Sequence, residues 1–318
     1  MRAITIQDGE LRVIADAPEP VPGPDAALIR PLLGGICNTD LELVRGYYGY
    51  QGILGHEFVG EVITGPEDWP GKRVVGEINI GCGQCDFCLA GVPSHCRART
   101  TLGINGHPGC FADLMTLPVC NLHVVPSAVT DEQVVFTEPL AAALQTLEMA
   151  HIRPSDRVIV LGAGKLGMLI AQVVRLTGAD LAVVVRHQKQ ADLLARWGIQ
   201  IAGFEELPAA QADVVVDATG RAAGFADAQH LLRPRGTLVL KSTYHGLPEA
   251  NLTAIAVEEV SVVGSRCGPF AAALRLLEAG LVDVDSLIEG RYPLVAGVDA
   301  FAAAAQPGRL KVLLTFAT

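Results

Sequence analysis

The chain has 318 residues, half of them hydrophobic, and a net charge of -10 from 34 acidic and 24 basic side chains. A domain runs to about 100–200 residues, so this length predicts two, each able to bury a core. The acidic balance argues against nucleic acid or an anionic membrane as partner, and no apolar run reaches the roughly 18–20 residues of a membrane span.

The N-terminus, MRAITIQDGELRVI, alternates apolar and polar residues and predicts two strands turning at Asp8-Gly9. It lacks the apolar stretch of a signal peptide, so the expected compartment is the cytoplasm, where thiols stay reduced. A loop carrying Pro18, Pro20, Pro22 and Pro24 leads into a strand over Ala27–Leu33. HEFVGEVIT, KRVVGEI, FADLMTLP and NLHVVP read as further strands separated by turn residues. Short strands with frequent turns predict a compact β domain over residues 1–135.

Near residue 137 the texture changes. EPLAAALQTLEMAHI has helical periodicity. DRVIVL is a buried strand running into a glycine-rich turn, and KLGMLIAQVVRLTG is a helix closed by Gly178. Strand DLAVVVRH, helix KQADLLARWG and strands ADVVVDATG, GTLVLKST and VSVVGSR follow. This alternation predicts an α/β fold with a doubly wound parallel sheet. Helices FAAALRLLEAG and AFAAAAQ and a last strand, LKVLLTF, end the chain.

VIVLGAGKLG places Gly162-x-Gly164-x-x-Gly167 directly after a strand and at the start of a helix. That context suits a dinucleotide pyrophosphate. The first glycine permits the turn, the second lets backbone approach the phosphates, and the third lets helix and strand pack. Lys165 and Leu166 complete the loop, and the helix N-terminus supplies free N–H groups. The bland alternative is a glycine-rich turn with no ligand. An acid that bonds the adenosine ribose is expected about 20 residues on. Val185, Arg186 and His187 stand there instead. With no carboxylate to repel a 2′-phosphate and Arg186 able to pair with it, NADP is favoured, with NAD as the alternative. Arg186 could equally be a solvated residue at a strand end.

Four of the eight cysteines fall in GCGQCDFCLAGVPSHC as Cys82, Cys85, Cys88 and Cys96. This spacing suits a tetrahedral, closed and therefore structural zinc. Arg97 and Arg99 are nearby, but an acidic chain argues against a nucleic-acid module. Cys37, His56 and Glu57 are further candidate ligands, scattered over 20 residues among strands. A lone histidine is more often structural than a ligand.

GGICNTD, GHEFVGEV, the four-cysteine lobe, EPLAAALQ, LGAGKLG and LKVLLTF occur in this order. Together they resemble the zinc-dependent medium-chain alcohol dehydrogenase family, in its alcohol, polyol and threonine dehydrogenase branch, over essentially the whole chain. The resemblance implies a β-rich GroES-like catalytic domain over residues 1–137, with the zinc lobe at 81–97. It implies a Rossmann cofactor domain over 138–268 and a return to the catalytic domain over 269–318. It implies two zinc ions per chain, with Cys37, His56 and Glu138 of FTEPL on the catalytic one. Glu138 could otherwise be an acid complementing a helix dipole. Glu57 is then an alternate ligand or a close neighbour of the metal. Asp40 would hold the ligand histidine by its other ring nitrogen. Thr39 would touch the substrate oxygen and begin a proton route.

Lys311 takes the place of a basic residue that contacts the pyrophosphate in some relatives. Arg266 falls where the nicotinamide-side loop is expected, with an interdomain ion pair as its alternative role. Thr219 and Gly220 close a strand at the cofactor edge. The chain departs from the family in a short stretch between Cys37 and His56, which carries Tyr47, Tyr48 and Tyr50, and in a trimmed segment near residues 204–212. The expected enzyme oxidises a secondary alcohol or polyol as a homodimer or homotetramer. The alternatives are a zinc-independent enone or quinone reductase, which would lack these ligands, and a non-catalytic dinucleotide-binding protein.

Overall fold

The computed structural model describes residues 1–243 and 247–316. It divides into two compact units, Met1–Glu138 with Phe270–Thr318, and Pro139–Pro269.

The first unit is built on a mixed sheet. Its strands run in the order Leu122–Val124, Arg73–Gly76, Glu57–Thr64, Ala26–Ile36, Lys311–Thr315 and Ile288–Pro293, with Met115–Pro118 also paired to Ala26–Ile36. Ala26–Ile36 is the long central strand. On one side Gly35 pairs with Glu57, and on the other Gly35 and Ile36 pair with Leu313 and Val312. That register brings the end of the central strand, the start of Glu57–Thr64 and the start of the final strand to one corner. The core beneath holds Ile29, Ile36, Phe58, Val59, Phe111 and Leu313, all almost fully buried. The N-terminal strands Ala3–Gln7 and Glu10–Ile14 pair through Asp8 and Gly9, both at positive φ, in the expected hairpin.

The second unit is a six-stranded parallel sheet. In chain order its strands are Arg157–Leu161, Asp180–Val184, Gln200–Ala202, Ala212–Asp217, Leu232–Leu240 and Ser261–Gly264. In space the third, second, first, fourth, fifth and sixth lie side by side. This order is that of a Rossmann sheet, reversing direction between the first and fourth strands. Runs such as RVIVL and DVVVD form central strands because both faces are covered and β-branched side chains fit the pleat. Several elements escape the sequence reading, strands Gln200–Ala202 and Ile288–Pro293 and helix Leu252–Val257 among them. Helix Asn38–Val44 follows the central strand of the first unit, and helix Ala223–Leu231 links the fourth and fifth strands of the second. No helix among the described residues is long and apolar enough to cross a membrane.

Candidate active site

Cys37 leaves the central strand and caps helix Asn38–Val44. Asp40, in the first turn, reaches back so that its Oδ2 accepts the Cys37 amide at 2.9 Å. This is the reach-back half of a capping box, and it fixes where the thiol points. The other carboxylate oxygen, Oδ1, lies 3.2 Å from Nδ1 of His56, without an aligned hydrogen bond. Asp40 and His56 are both almost completely buried. The Thr39 hydroxyl lies 3.8 Å from Cys37 Sγ.

Glu57 follows His56 and is fully buried. Its Oε2 accepts an ion-paired hydrogen bond from Nζ of Lys311, itself 3% exposed, at the start of the final strand. Gly35 makes this crossing possible, because a Cβ there would overlap Glu57 Oε2. The second oxygen, Oε1, has no hydrogen-bond partner. Cys37 Sγ, a ring nitrogen of His56 and a carboxylate oxygen of Glu57 lie within 4.8 Å of one another.

These donors fit a zinc ion. Ligand bonds of about 2.0–2.3 Å in a tetrahedron separate neighbouring donor atoms by roughly 3.3–3.8 Å, which falls inside the 4.8 Å limit within which these three donors lie. The electrostatics agree. Burial disfavours a charged His56, yet Asp40 and then the Cys37 side chain outweigh it and hold the imidazole well above the ordinary histidine range. Such a pocket calls for positive charge, which a metal ion on the ring nitrogen supplies in place of a proton. Burial likewise lowers Lys311, but Glu57 first and Cys37 next keep it raised.

Two expectations meet a different arrangement. Glu138 is not in the donor set. It lies in the first turn of helix Thr137–Met149, near enough to Lys311 to help raise that lysine. Lys311, expected on a pyrophosphate, is instead buried inside the first unit against Glu57, with its ammonium 5.5 Å from the Phe136 ring centre. Tyr50, in the shortened stretch, donates its hydroxyl to the Ile53 carbonyl at 2.7 Å and braces the loop before His56. Tyr48 is exposed.

Cys82, Cys85, Cys88 and Cys96 form a second group, again with sulfurs within 4.8 Å. The backbone turns aim N–H groups at them. The amides of Cys88 and Arg97 lower Cys85 to about 6, those of Gln84 and Cys85 lower Cys82, and burial pushes Cys88 up to about 11. The lowered Cys82 and Cys85 thiols are ready zinc ligands, and four cysteine donors around one ion leave no open position. Arg97 pairs with Asp86 at 2.8 Å and Arg99 donates to the Ser94 carbonyl, so both basic residues serve the lobe itself.

In the second unit, Gly162 has φ +99, and a Cβ on it would stand 2.8 Å from the Ala218 carbonyl. A Cβ on Gly167 would overlap the Gly162 carbonyl. At Gly164, by contrast, a Cβ would meet nothing within 4 Å. The turn is tight on the protein side and open where phosphates would lie. Lys165 and Leu166 form the first turn of helix Lys165–Arg175. Arg186 and His187 are exposed just past strand Asp180–Val184, and His187 caps the next helix. Thr219 and Gly220 follow the fourth strand, and Arg266 is exposed after the sixth. Sequence reasoning passed over Asp217 and Ser242, which bond directly to this edge of the sheet; the Asp of DVVVDATG was the available signal.

Comparison with known proteins agrees with this geometry. Residues 23–127 match the alcohol dehydrogenase GroES-like domain, and residues 166–279 match the zinc-binding dehydrogenase domain. The chain belongs to the zinc-dependent medium-chain alcohol dehydrogenase family. It is an oxidoreductase of that family, with a GroES-like and a Rossmann-like domain. It is 30% identical to the sorbitol dehydrogenase of Halalkalibacterium halodurans over 95% of each chain. It is equally identical to the L-threonine 3-dehydrogenase of Streptomyces coelicolor, over 99% of each. Among solved structures, a zinc-binding dehydrogenase from Sinorhizobium meliloti 1021 bound to NADP superposes with TM-score 0.90 at 28% identity, covering 99% of this chain and 98% of that one. The rspB alcohol dehydrogenase of Escherichia coli CFT073, complexed with NADH, gives 0.91 at 26% identity and 99% of both chains.

Proposed function

We infer that this chain oxidises a secondary alcohol or polyol to the carbonyl compound, and runs the reverse reduction, with NADP as the preferred dinucleotide and NAD as the alternative. The observation that carries the reading is the trio of half-buried Cys37 and buried His56 and Glu57, held from behind by Asp40 and Lys311. Cys37 and His56 hold the catalytic zinc. Glu57 is the third donor in this geometry and Glu138 the alternate one. Bound zinc supplies Lewis acidity toward the substrate oxygen, and bound dinucleotide supplies the hydride acceptor. Asp40 keeps the His56 ring oriented and basic. The Thr39 hydroxyl takes a hydrogen bond from the substrate hydroxyl and starts its proton on the way out. The second unit binds the dinucleotide through Gly162, Gly164, Lys165, Leu166 and Gly167, with Arg186 and His187 at the adenosine ribose, Thr219 and Gly220 along the sheet edge, and Arg266 toward the nicotinamide.

Cys82, Cys85, Cys88 and Cys96 hold a second, structural zinc. The protein works in the cytoplasm as a homodimer or homotetramer. The outermost strand of the parallel sheet, Ser261–Gly264, supports self-association, with Val262 39% exposed, as do Leu252 and Val257 of the preceding helix, each 71% exposed. The test is a panel of polyols, secondary alcohols and aldehydes with NADP and NAD, followed by reduced-cofactor fluorescence, with zinc counted on the same sample. Turnover with NADP and about two zinc ions per chain is the expected result. No turnover of any alcohol with either dinucleotide would sink the reading.

A further inference from the structure

A polar cluster closes the carboxyl end of the parallel sheet in the second unit. Asp217, the last residue of strand Ala212–Asp217, is completely buried. Its Oδ1 accepts three hydrogen bonds, from the Thr219 amide at 2.9 Å, the Thr219 hydroxyl at 2.8 Å and the Ser242 hydroxyl at 2.9 Å. Its Oδ2 has no hydrogen-bond partner. Ser242 Oγ in turn accepts the Gly220 amide at 2.8 Å. The Asp217 carbonyl accepts the Lys241 amide at 3.0 Å, and the Ala218 amide donates to Leu161 at 2.9 Å. The ends of the first, fourth and fifth strands are thus tied together around one carboxylate.

A buried carboxylate with an unused oxygen is a costly way to end a strand, and an apolar residue would do it more cheaply. What the cluster does is fix the turn 218–220. On one side that turn is bounded by Gly224, where a Cβ would overlap Thr219 Oγ1 and stand 2.7 Å from Asp217 Oδ1. On the other side it presses on the glycine-rich turn, since a Cβ on Gly162 would stand 2.8 Å from the Ala218 carbonyl and 3.2 Å from Thr219 Cα. A Rossmann sheet binds its dinucleotide across the crevice where strand order reverses, with the ribose-reading position at the end of the second strand. The adenosine half therefore lies toward Asp180–Val184, and the nicotinamide half lies toward the turn that Asp217 shapes.

We propose that Asp217 and Ser242 are positioning residues for the dinucleotide, setting turn 218–220 against Gly162 and thereby the affinity for its nicotinamide half. The proposal rests on the cofactor reading above. It is tested on the full-length zinc-loaded protein by titration with NADP and with adenosine 2′,5′-bisphosphate, which carries only the adenosine half. Ser242→Ala leaves the Gly220 amide unpaired and is expected to weaken NADP on the order of tenfold, while the bisphosphate binds within about twofold of wild type. Ser242→Thr keeps the hydroxyl and is expected to restore NADP affinity, and Asp217→Asn to weaken NADP at least as much as Ser242→Ala. A residue that only stabilised the fold would weaken both ligands in proportion, and that result overturns the proposal. So does unchanged NADP binding in Ser242→Ala and Asp217→Asn. Wild-type protein that binds neither ligand overturns the cofactor reading and the proposal together; wild type that binds both while the variants match it overturns the proposal alone.

Discussion

Asp40 and His56 stand 3.2 Å apart, oxygen to ring nitrogen, while the other oxygen of the same carboxylate holds the Cys37 amide. One buried side chain therefore aims two of the three donors. Residues that orient ligands in this way are worth about 10–100-fold in metal affinity. Asp40→Ala is expected to lose zinc from the catalytic site by a factor in that range, read by competition with a chromophoric chelator. Affinity equal to wild type would show that Asp40 has no hold on the ligands.

Removing one partner from a buried ion pair leaves an uncompensated charge and costs about 3–5 kcal/mol. In the zinc-free protein Lys311→Met strands Glu57 in this way, so a large drop in its thermal midpoint is expected. The double variant Lys311→Met with Glu57→Gln removes the stranded charge and should recover much of the loss. A double variant no more stable than Lys311→Met would mean that the lysine contributes chiefly by packing.

The two zinc groups are expected to behave differently. Cys85→Ser should retain about one zinc per chain and lose stability first, with turnover persisting in the folded fraction. Cys37→Ser should also retain about one zinc but lose turnover with the fold intact. Metal analysis, circular dichroism and rates on the same samples separate these outcomes. Full alcohol oxidation by Cys37→Ser would remove that residue from the catalytic set.

Arg186 is exposed at the end of the second parallel strand, where a 2′-phosphate would lie. A charge-assisted hydrogen bond contributes about 1.5–3 kcal/mol, roughly tenfold to a hundredfold. Arg186→Ala should raise the KM for NADP by that order and leave the KM for NAD nearly unchanged. Equal changes for both dinucleotides would take Arg186 out of the 2′-phosphate site.

Asp213 offers a pH test away from either metal group. Burial pushes its carboxyl up, but the Arg157 amide at 2.8 Å and then Arg233 more than offset this and hold it below the ordinary range. A depressed folded value means stability that is complete above the unfolded value of about 3.9 and lost as pH falls below it. The thermal midpoint of wild type should therefore fall more steeply than that of Asp213→Asn between about pH 5 and pH 2.5. Parallel curves would contradict this.

Much of the fold was legible because its signals are local. RVIVL followed by three spaced glycines states a strand, a turn and a helix within fifteen residues. Helix Ala223–Leu231 was not legible, since AGFADAQHL carries a glycine and little periodicity, and that glycine is required by contact with Thr219. At the metal group the motifs located Cys37, His56, Asp40 and Glu57. Which carboxylate faces the thiol was not readable, because it depends on the pairing of Gly35 with Glu57 rather than on any motif. The destination of Lys311 was hidden for the same reason. Its partner lies 254 residues earlier, and only sheet register brings them together.

That separation bears on how the protein is made. Glu57 leaves the ribosome 254 residues before Lys311, the residue whose ammonium pairs with it in the structure. Until the strand that Lys311 begins pairs with Ala26–Ile36, the Glu57 carboxylate cannot be buried without a heavy electrostatic cost. The pocket around Glu57 is thus completed only when Lys311–Thr315 has been made and has paired with Ala26–Ile36, and a metal ion meets the full donor set only after that pairing.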